Sequence, residues 1–299
     1  METAKRATIR LDTPSSTNPT NASMKKHVLI LLLWLATLNA AIAASPKRII
    51  TLNNTLTETV DALGLGKNLV AVDVTSTYPA YVAKLPKASK NRSVSAEGLL
   101  SFDPDIVLAA EGGINKEIEY QLTAAGIKVV QIKQLYSPSG TYQLIKDVAS
   151  ALQVQAKGAA LIKSLQTKVN TVISFVKQHP KKTKVLFIYA RGTGVMMVAG
   201  KKTSVDAMIS LAGGQNAVTG FDDFKPFTTE ALVEADPDVI LMFDFGFNSL
   251  GGIESILKIP GMLQTTAGKN KRIVQMDSGL LVGFSTRLDQ AIIQLHNKL

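Results

Sequence analysis

The 299-residue chain contains no cysteine. That excludes disulfides, thiolate metal centres and a lipid-bearing cysteine behind an export signal. Histidine is almost as scarce: beyond residue 44 there are only His179 and His296. Both stand in Lys-containing polar stretches near helix ends and are expected on the solvated surface. A His-rich zinc or manganese site lacks ligands, and a His-based catalytic triad has almost nothing to draw on. No Gly-x-Ser-x-Gly elbow is present. Gly194-Val-Met-Met-Val-Ala-Gly200-Lys201-Lys202 has one residue too many for a phosphate loop, and Lys202 stands where Ser or Thr must hold magnesium. Gly192-Thr-Gly194 lacks the third glycine of a dinucleotide fingerprint, and Asp73 has no glycines before it. The Lys181–Lys184 stretch reads as a solvated turn rather than a nucleic-acid patch. No catalytic constellation assembles.

Long apolar runs are also missing, with one exception. Met24 opens a segment with Lys25, Lys26 and His27, the apolar run Val28–Leu38 and the small-residue exit Ala43-Ala44. This has the layout of a cleavable secretory signal, and the run is too short to span a bilayer comfortably. Residues 1–23 read as an extension upstream of a natural start at Met24. Residues 45–299 hold 28 basic and 21 acidic residues, a net charge of +7, with the basic ones dispersed. The expected product is an exported, soluble periplasmic chain with some affinity for anions.

What is abundant is repetition. Ser95-Ala-Glu97-Gly-Leu-Leu-Ser-Phe-Asp-Pro104-Asp105-Ile-Val-Leu108 aligns without a gap on Thr228-Thr-Glu230-Ala-Leu-Val-Glu-Ala-Asp-Pro237-Asp238-Val-Ile-Leu241, at a constant offset of 133 residues. Each copy reads as a capped short helix, a Pro stop and a buried parallel strand. Around them strands and helices alternate. Strands are expected at Arg48–Leu52, Leu69–Asp73, Ile106–Leu108, Lys128–Ile132, Lys184–Tyr189, Val239–Phe243 and Ile273–Met276. Helices are expected at Thr55–Leu63, Glu117–Ala125, Val205–Ala212 and Arg287–Lys298. Between the halves, Leu161, Ile162, Leu165, Val169, Val172, Ile173 and Val176 keep three-and-four spacing until Pro180. This predicts a helix of about 35 Å. The expected fold is α/β: lobes at 45–155 and 181–299 with mainly parallel sheets, joined by one bridging helix at 156–180.

Signal segment, duplicated lobes, bridging helix and missing catalytic set together resemble the substrate-binding proteins of ABC importers for iron chelates, haem and vitamin B12. Within that group the chain resembles the periplasmic haem-binding proteins. The resemblance rests on Asp73-Val-Thr-Ser-Thr-Tyr-Pro79, Leu85-Pro86 with Arg92-Ser-Val-Ser-Ala-Glu97-Gly98, Ala199-Gly200, Asp206-Ala-Met-Ile, Ala212-Gly-Gly214, Asn216-Ala, Gly220-Phe221, Leu257-Lys-Ile-Pro260-Gly-Met262 and Thr266-Ala-Gly268. It implies a monomeric carrier with no intrinsic cofactor, whose cargo is haem or an anionic iron chelate. It also implies that Glu97 and Glu230, one per lobe, dock into arginine pockets of the two permease subunits.

The family pattern breaks at the iron ligands. Haem-binding relatives carry Tyr in Leu-Pro-x-Val-Gly-Tyr-x-Arg, but Leu85-Pro-Lys-Ala-Ser-Lys90-Asn-Arg92 puts Lys90 there. A His found in some relatives after the first strand of the second lobe is Arg191 here. A protonated Lys does not bind iron, and Arg is never deprotonated. Lys90, Arg92 and Arg191 instead predict a cationic cleft suited to propionates or an anionic chelate. Tyr78, Tyr81 and Tyr189 each read either as a platform, or a replacement iron ligand, for a flat cargo, or as a packing residue. Phe245 and Phe247, in a loop after a strand, read either as an aromatic wall or as core plugs. Other readings are a non-haem anionic ligand such as a siderophore or corrinoid, an exported lyase or chelatase on the same scaffold, and a ligandless sensor.

Overall fold

Short β-branched and aliphatic runs between Gly, Pro and Asp punctuation give each half of the chain a buried sheet. The computed structural model describes residues 46–89 and 93–299. The signal-like segment and the 1–44 extension therefore lie outside the described residues, as do Lys90 and Arg92. In the first lobe come β1 (Ile49–Thr51), α1 (Asn54–Val60), β2 (Leu69–Val72), α2 (Ala96–Leu100), β3 (Ile106–Ala110), α3 (Lys116–Ala124), β4 (Lys128–Ile132) and α4 (Pro138–Ala151). All four strands are parallel, in the order β2-β1-β3-β4. Successive residues serve opposite faces. Ile49, Ile106 and Leu108 join the layer containing Leu56 of α1 and Leu144 of α4. Ile50, Val107 and Ala109 join the layer containing Leu99 of α2 and Leu122 of α3.

A 24-residue helix, α5 (Gln155–Gln178), leads out of this lobe. At 1.5 Å per residue it is about 36 Å long. Its Leu161 packs against both the first-lobe layer and the second-lobe layer, and Leu165, Val169 and Val176 sit in the latter. The apolar stripe thus rests on both lobes.

The second lobe contains β5 (Lys184–Ala190), β6 (Met196–Ala199), α6 (Ser204–Leu211), β7 (Gln215–Asn216), β8 (Phe224–Pro226), α7 (Thr229–Ala235), β9 (Val239–Phe243), α8 (Asp244–Ser249), α9 (Ile253–Ile256), α10 (Thr266–Lys269), β10 (Ile273–Met276), α11 (Ser278–Gly283) and α12 (Leu288–Lys298). Its sheet runs β10-β9-β5-β6-β8, with β7 beside the start of β5. The parallel trio β10, β9, β5 matches β4, β3, β1. Where the first lobe adds parallel β2, the second adds antiparallel β6 and β8. The Gly192–Gly194 stretch is therefore the turn of an antiparallel pair, with Gly192 at φ 67°.

The duplicated motif has one structural meaning in both copies. Ser95 Oγ accepts from the Gly98 amide and Thr228 Oγ1 from the Ala231 amide, each at 3.1 Å, which caps α2 and α7. The helices end before the prolines, and the chain reverses at Asp103 and Asp236, both left-handed (φ 46° and 35°). The second Asp of each copy then accepts from the amide that starts the neighbouring strand. Asp105 takes Lys47 at 2.7 Å and Arg48 at 3.0 Å, and Asp238 takes Lys184 at 2.8 Å.

Two expectations need correction. His296 is 2% exposed, not solvated. The stripe Leu288, Ala291, Ile292 and Leu295 pulls α12 into the core, and His296 Nδ1 lies 2.9 Å from the carbonyl of Ala212, one of the orphan acceptors at the end of α6. His179 is exposed. Phe245 and Phe247 lie on a helical turn, α8, rather than in a loop.

Candidate functional site

Parallel strands leave a crevice beyond their carboxyl ends. Here the two lobes turn those ends toward each other across a cleft of about 750 Å³. The first-lobe wall follows directly from the strands: Asn53–Thr55 after β1, Asp73 and Thr75 after β2, Gln134 and Tyr136 after β4. This wall is rich in amides and hydroxyls. Asn53 is also the N-cap of α1, its Oδ1 accepting from the amides of Thr55 and Leu56. Asp73 spends its carboxylate locally, on the Thr75 amide (3.0 Å), the Thr75 hydroxyl (2.5 Å) and the Ser76 hydroxyl. Ser89 Oγ is buried, lines the cleft and has no hydrogen-bond partner among the described residues.

The second-lobe wall is aromatic. Tyr189 of β5, Phe224 of β8, Phe243 of β9 and Phe245 of α8 line it, with Met197 of β6 beside Tyr189 in register. Tyr189 stands edge-on to Phe243 (6.2 Å, 87°) and to Phe245 (5.8 Å, 75°). Arg191, exposed at the margin, donates from Nε to the Tyr189 hydroxyl at 2.6 Å and lies 4.9 Å from the centre of the Phe245 ring. At the head of α8, desolvation and the Asp277 carboxylate push Asp244 above the usual carboxylate range.

Three of the expected site residues, Arg191, Tyr189 and Phe245, are thus brought together. Tyr78 is not among the cleft residues; its ring lies against the Arg287 guanidinium at 3.7 Å. Tyr81 points to Asp61, with its hydroxyl 2.5 Å from Oδ1, and does not reach the cleft either. Lys90 and Arg92 fall outside the described residues. Among the described cleft-lining residues there is no Lys or Arg, and Asp73 is the one carboxylate. The positive wall expected from sequence is thus reduced, among these residues, to Arg191 at the rim. Tyr136, Asn54, Gln134, Met197 and Phe243 were missed. All but Tyr136, which follows the end of β4 by four residues, lie at or just beyond a strand end or on the antiparallel hairpin, so a strict reading of carboxyl ends would have recovered them.

Glu97 and Glu230 are exposed in the first turns of α2 and α7, outside the cleft. The floor of the cleft is a seam between the lobes. Thr55 Oγ1 and Gln134 Nε2 both donate to the Gly283 carbonyl, at 2.7 and 2.6 Å, and Thr141 Oγ1 donates to that of Phe284 at 3.0 Å. Among the described residues no group of three or more His, Asp or Glu side chains is placed to hold a metal, and no helix is long and apolar enough to cross a membrane.

Comparison with known proteins agrees with this architecture. The apo structure of the periplasmic heme-binding protein RhuT from Roseiflexus sp. RS-1 superposes with a TM-score of 0.81 at 38% identity, covering 84% of this chain and 97% of that one. A vitamin B12-binding protein of Yersinia pseudotuberculosis serotype O:1b (strain IP 31758) is 32% identical over 229 residues, 73% of this chain and 76% of its own. YvrC, an ABC transporter substrate-binding lipoprotein of Bacillus subtilis (strain 168), is 28% identical over 260 residues, 86% of this chain and 81% of its own. A family model described as periplasmic binding protein matches residues 49–280. With two strand-end walls around one cleft and a match over most of its length, the chain belongs to the periplasmic binding protein family.

Proposed function

We propose that this protein captures haem, or a related anionic tetrapyrrole or iron chelate, in the interlobe cleft and carries it unchanged to the permease of an ABC importer. The observation that carries the reading is the aromatic wall of Tyr189, Phe243 and Phe245 beside a cleft of about 750 Å³, a shape for a flat apolar ring system. Arg191 at its margin suits a propionate, since a guanidinium pairs with a carboxylate through two parallel hydrogen bonds. Lys90 and Arg92 would add charge from the opposite lobe, and Tyr78 would act only indirectly, through Arg287. The name of the Roseiflexus relative supports the same cargo. Export through residues 24–44 delivers the chain to the periplasm, where it works as a monomer.

Glu97 and Glu230 are the proposed permease contacts. They occupy equivalent capped turns in two related lobes, so they would meet two related permease subunits with charge-assisted pairs. Titrating the protein with haemin tests the cargo: absence of a Soret shift at micromolar protein would sink it. Glu97→Ala with Glu230→Ala should abolish uptake while leaving ligand affinity unchanged.

One observation favours a second cargo. The first-lobe wall offers the side-chain amides of Asn53 and Gln134, neutral groups with hydrogen-bonding capacity beyond the Asn53 Oδ1 cap and the Gln134 Nε2 bond to Gly283, suited to the amide-fringed ring of a corrinoid. The vitamin B12-binding relative supports it. Cyanocobalamin in the same titration separates the two.

A further inference from the structure

We propose that Tyr120 and Leu263, one per lobe, are apolar anchors that a two-fold related permease buries next to its contacts with Glu97 and Glu230; this rests on the docking reading above. Among the described residues these two are the most exposed large hydrophobic side chains, at 75% and 60%. A single exposed apolar residue is ordinary on a protein surface. Here the two extremes fall in corresponding places. Each lies in the helical segment that leads into the edge strand of its lobe: α3 before β4, and the 3₁₀ turn Met262–Gln264 with α10 before β10. Each segment packs beside the short helix that carries the acidic residue, α2 or α7.

Neither side chain serves the interior of its lobe. On α3, Ile118 and Leu122 join the layer that holds Leu99 of α2, and Tyr120 falls on the opposite side of the helix from both. In the second lobe Met262 is fully buried and its neighbour Leu263 is left to solvent. That turn is pressed against the start of α7, since a Cβ on Gly261 would come within 2.8 Å of Thr229 and 3.0 Å of Val233. Thr229 directly precedes Glu230. Neither Glu97 nor Glu230 forms an ion pair among the described residues. An acidic group beside an apolar one, repeated once per lobe, fits a surface that offers a cation next to an apolar pocket twice, as two related subunits do. The same carboxylates would be repelled by anionic lipid headgroups. The glutamates would orient the partner, and the apolar pair would supply contact that excludes water.

The test measures binding of the full chain to the source organism's ABC permease and ATPase, reconstituted in phosphatidylcholine nanodiscs, at low and at high salt. Tyr120→Ser and Leu263→Ser are each expected to weaken binding roughly tenfold, and together roughly a hundredfold, because the two sites lie in different lobes. The loss should be similar at both salts, whereas Glu97→Ala with Glu230→Ala should lose most at low salt. Tyr120→Phe and Leu263→Met keep the apolar surface and should match wild type. All variants should melt with wild type, since the altered side chains are exposed. Unchanged affinity in the double serine variant, or lost affinity in Tyr120→Phe, would overturn the anchors and leave the glutamate docking standing. Wild type that does not bind the importer would overturn the docking reading and the anchors together. Wild type that binds protein-free nanodiscs, or sediments as a dimer that the double serine variant breaks, would give these residues a bilayer or a second copy as partner and overturn the assignment.

Discussion

Glu58 of α1 and Arg287, just before α12, form a buried ion pair across the lobes, 2.5 Å from Nη2 to Oε1, although they are 229 residues apart in the chain. Their side chains are 1% and 12% exposed. Ser285 and Asn54 complete the carboxylate's hydrogen bonds, and Tyr78 covers the guanidinium face. Arg287→Ala would strand an unpaired buried carboxylate and should cost about 3–5 kcal/mol in chemical denaturation. Replacing both partners with apolar residues, Glu58→Leu with Arg287→Met, should recover most of that loss. Equal instability of the single and double variants would contradict the pairing.

That pair is a good measure of what the sequence conceals. The lobes themselves were legible, because two copies of Asp-Pro-Asp with their aliphatic strands stand at one offset, and each copy folds from local rules. The bridging stripe was legible for the same reason: seven apolar residues in helical period need no knowledge of their partner. The interlobe seam was not, since nothing local links Glu58 to Arg287 or Thr55 to Gly283. The turn around Gly192–Gly194 was read against nucleotide motifs, and so the antiparallel β6 went unseen. Within the site, Tyr189 and Phe245 could be found from strand ends. Tyr136 could not, because Leu135-Tyr136-Ser137 carries no period and only the opposing lobe gives it a role.

The hairpin of α4 and α5 depends on Gly158. A methyl group there would overlap the Cβ of Ala149 on the facing helix. Gly158→Val should therefore lower stability by about 1–3 kcal/mol through overpacking. Gly158→Ala should cost less, because the helix gains about 1 kcal/mol when glycine becomes alanine. Thermal melts of the two variants would check the order; a stabilised valine variant would contradict the close approach.

Acid should weaken the protein partly through Asp236. Hydrogen bonding from the Thr266 amide, and then from its side chain, holds this carboxyl below its usual range. A carboxyl whose pKa is lower when folded contributes its full share above the unfolded value of about 3.9, and loses it as pH falls through the folded value. Asp236→Asn keeps the left-handed backbone (φ 35°), which asparagine tolerates. Its stability should therefore fall less steeply than that of wild type below about pH 4. Denaturation curves from pH 6 downward decide it, and identical slopes would exclude Asp236.

Leu161 belongs to the packing of both lobes, and Leu165, Val169 and Val176 continue the same stripe into the second. Neither half of the chain therefore owns a finished interior. Severed at either end of that rod, one fragment would present a greasy flank to water and the other would lose the cover over its α4 or α12, so the chain is expected to melt as one cooperative body even though evolution wrote it twice.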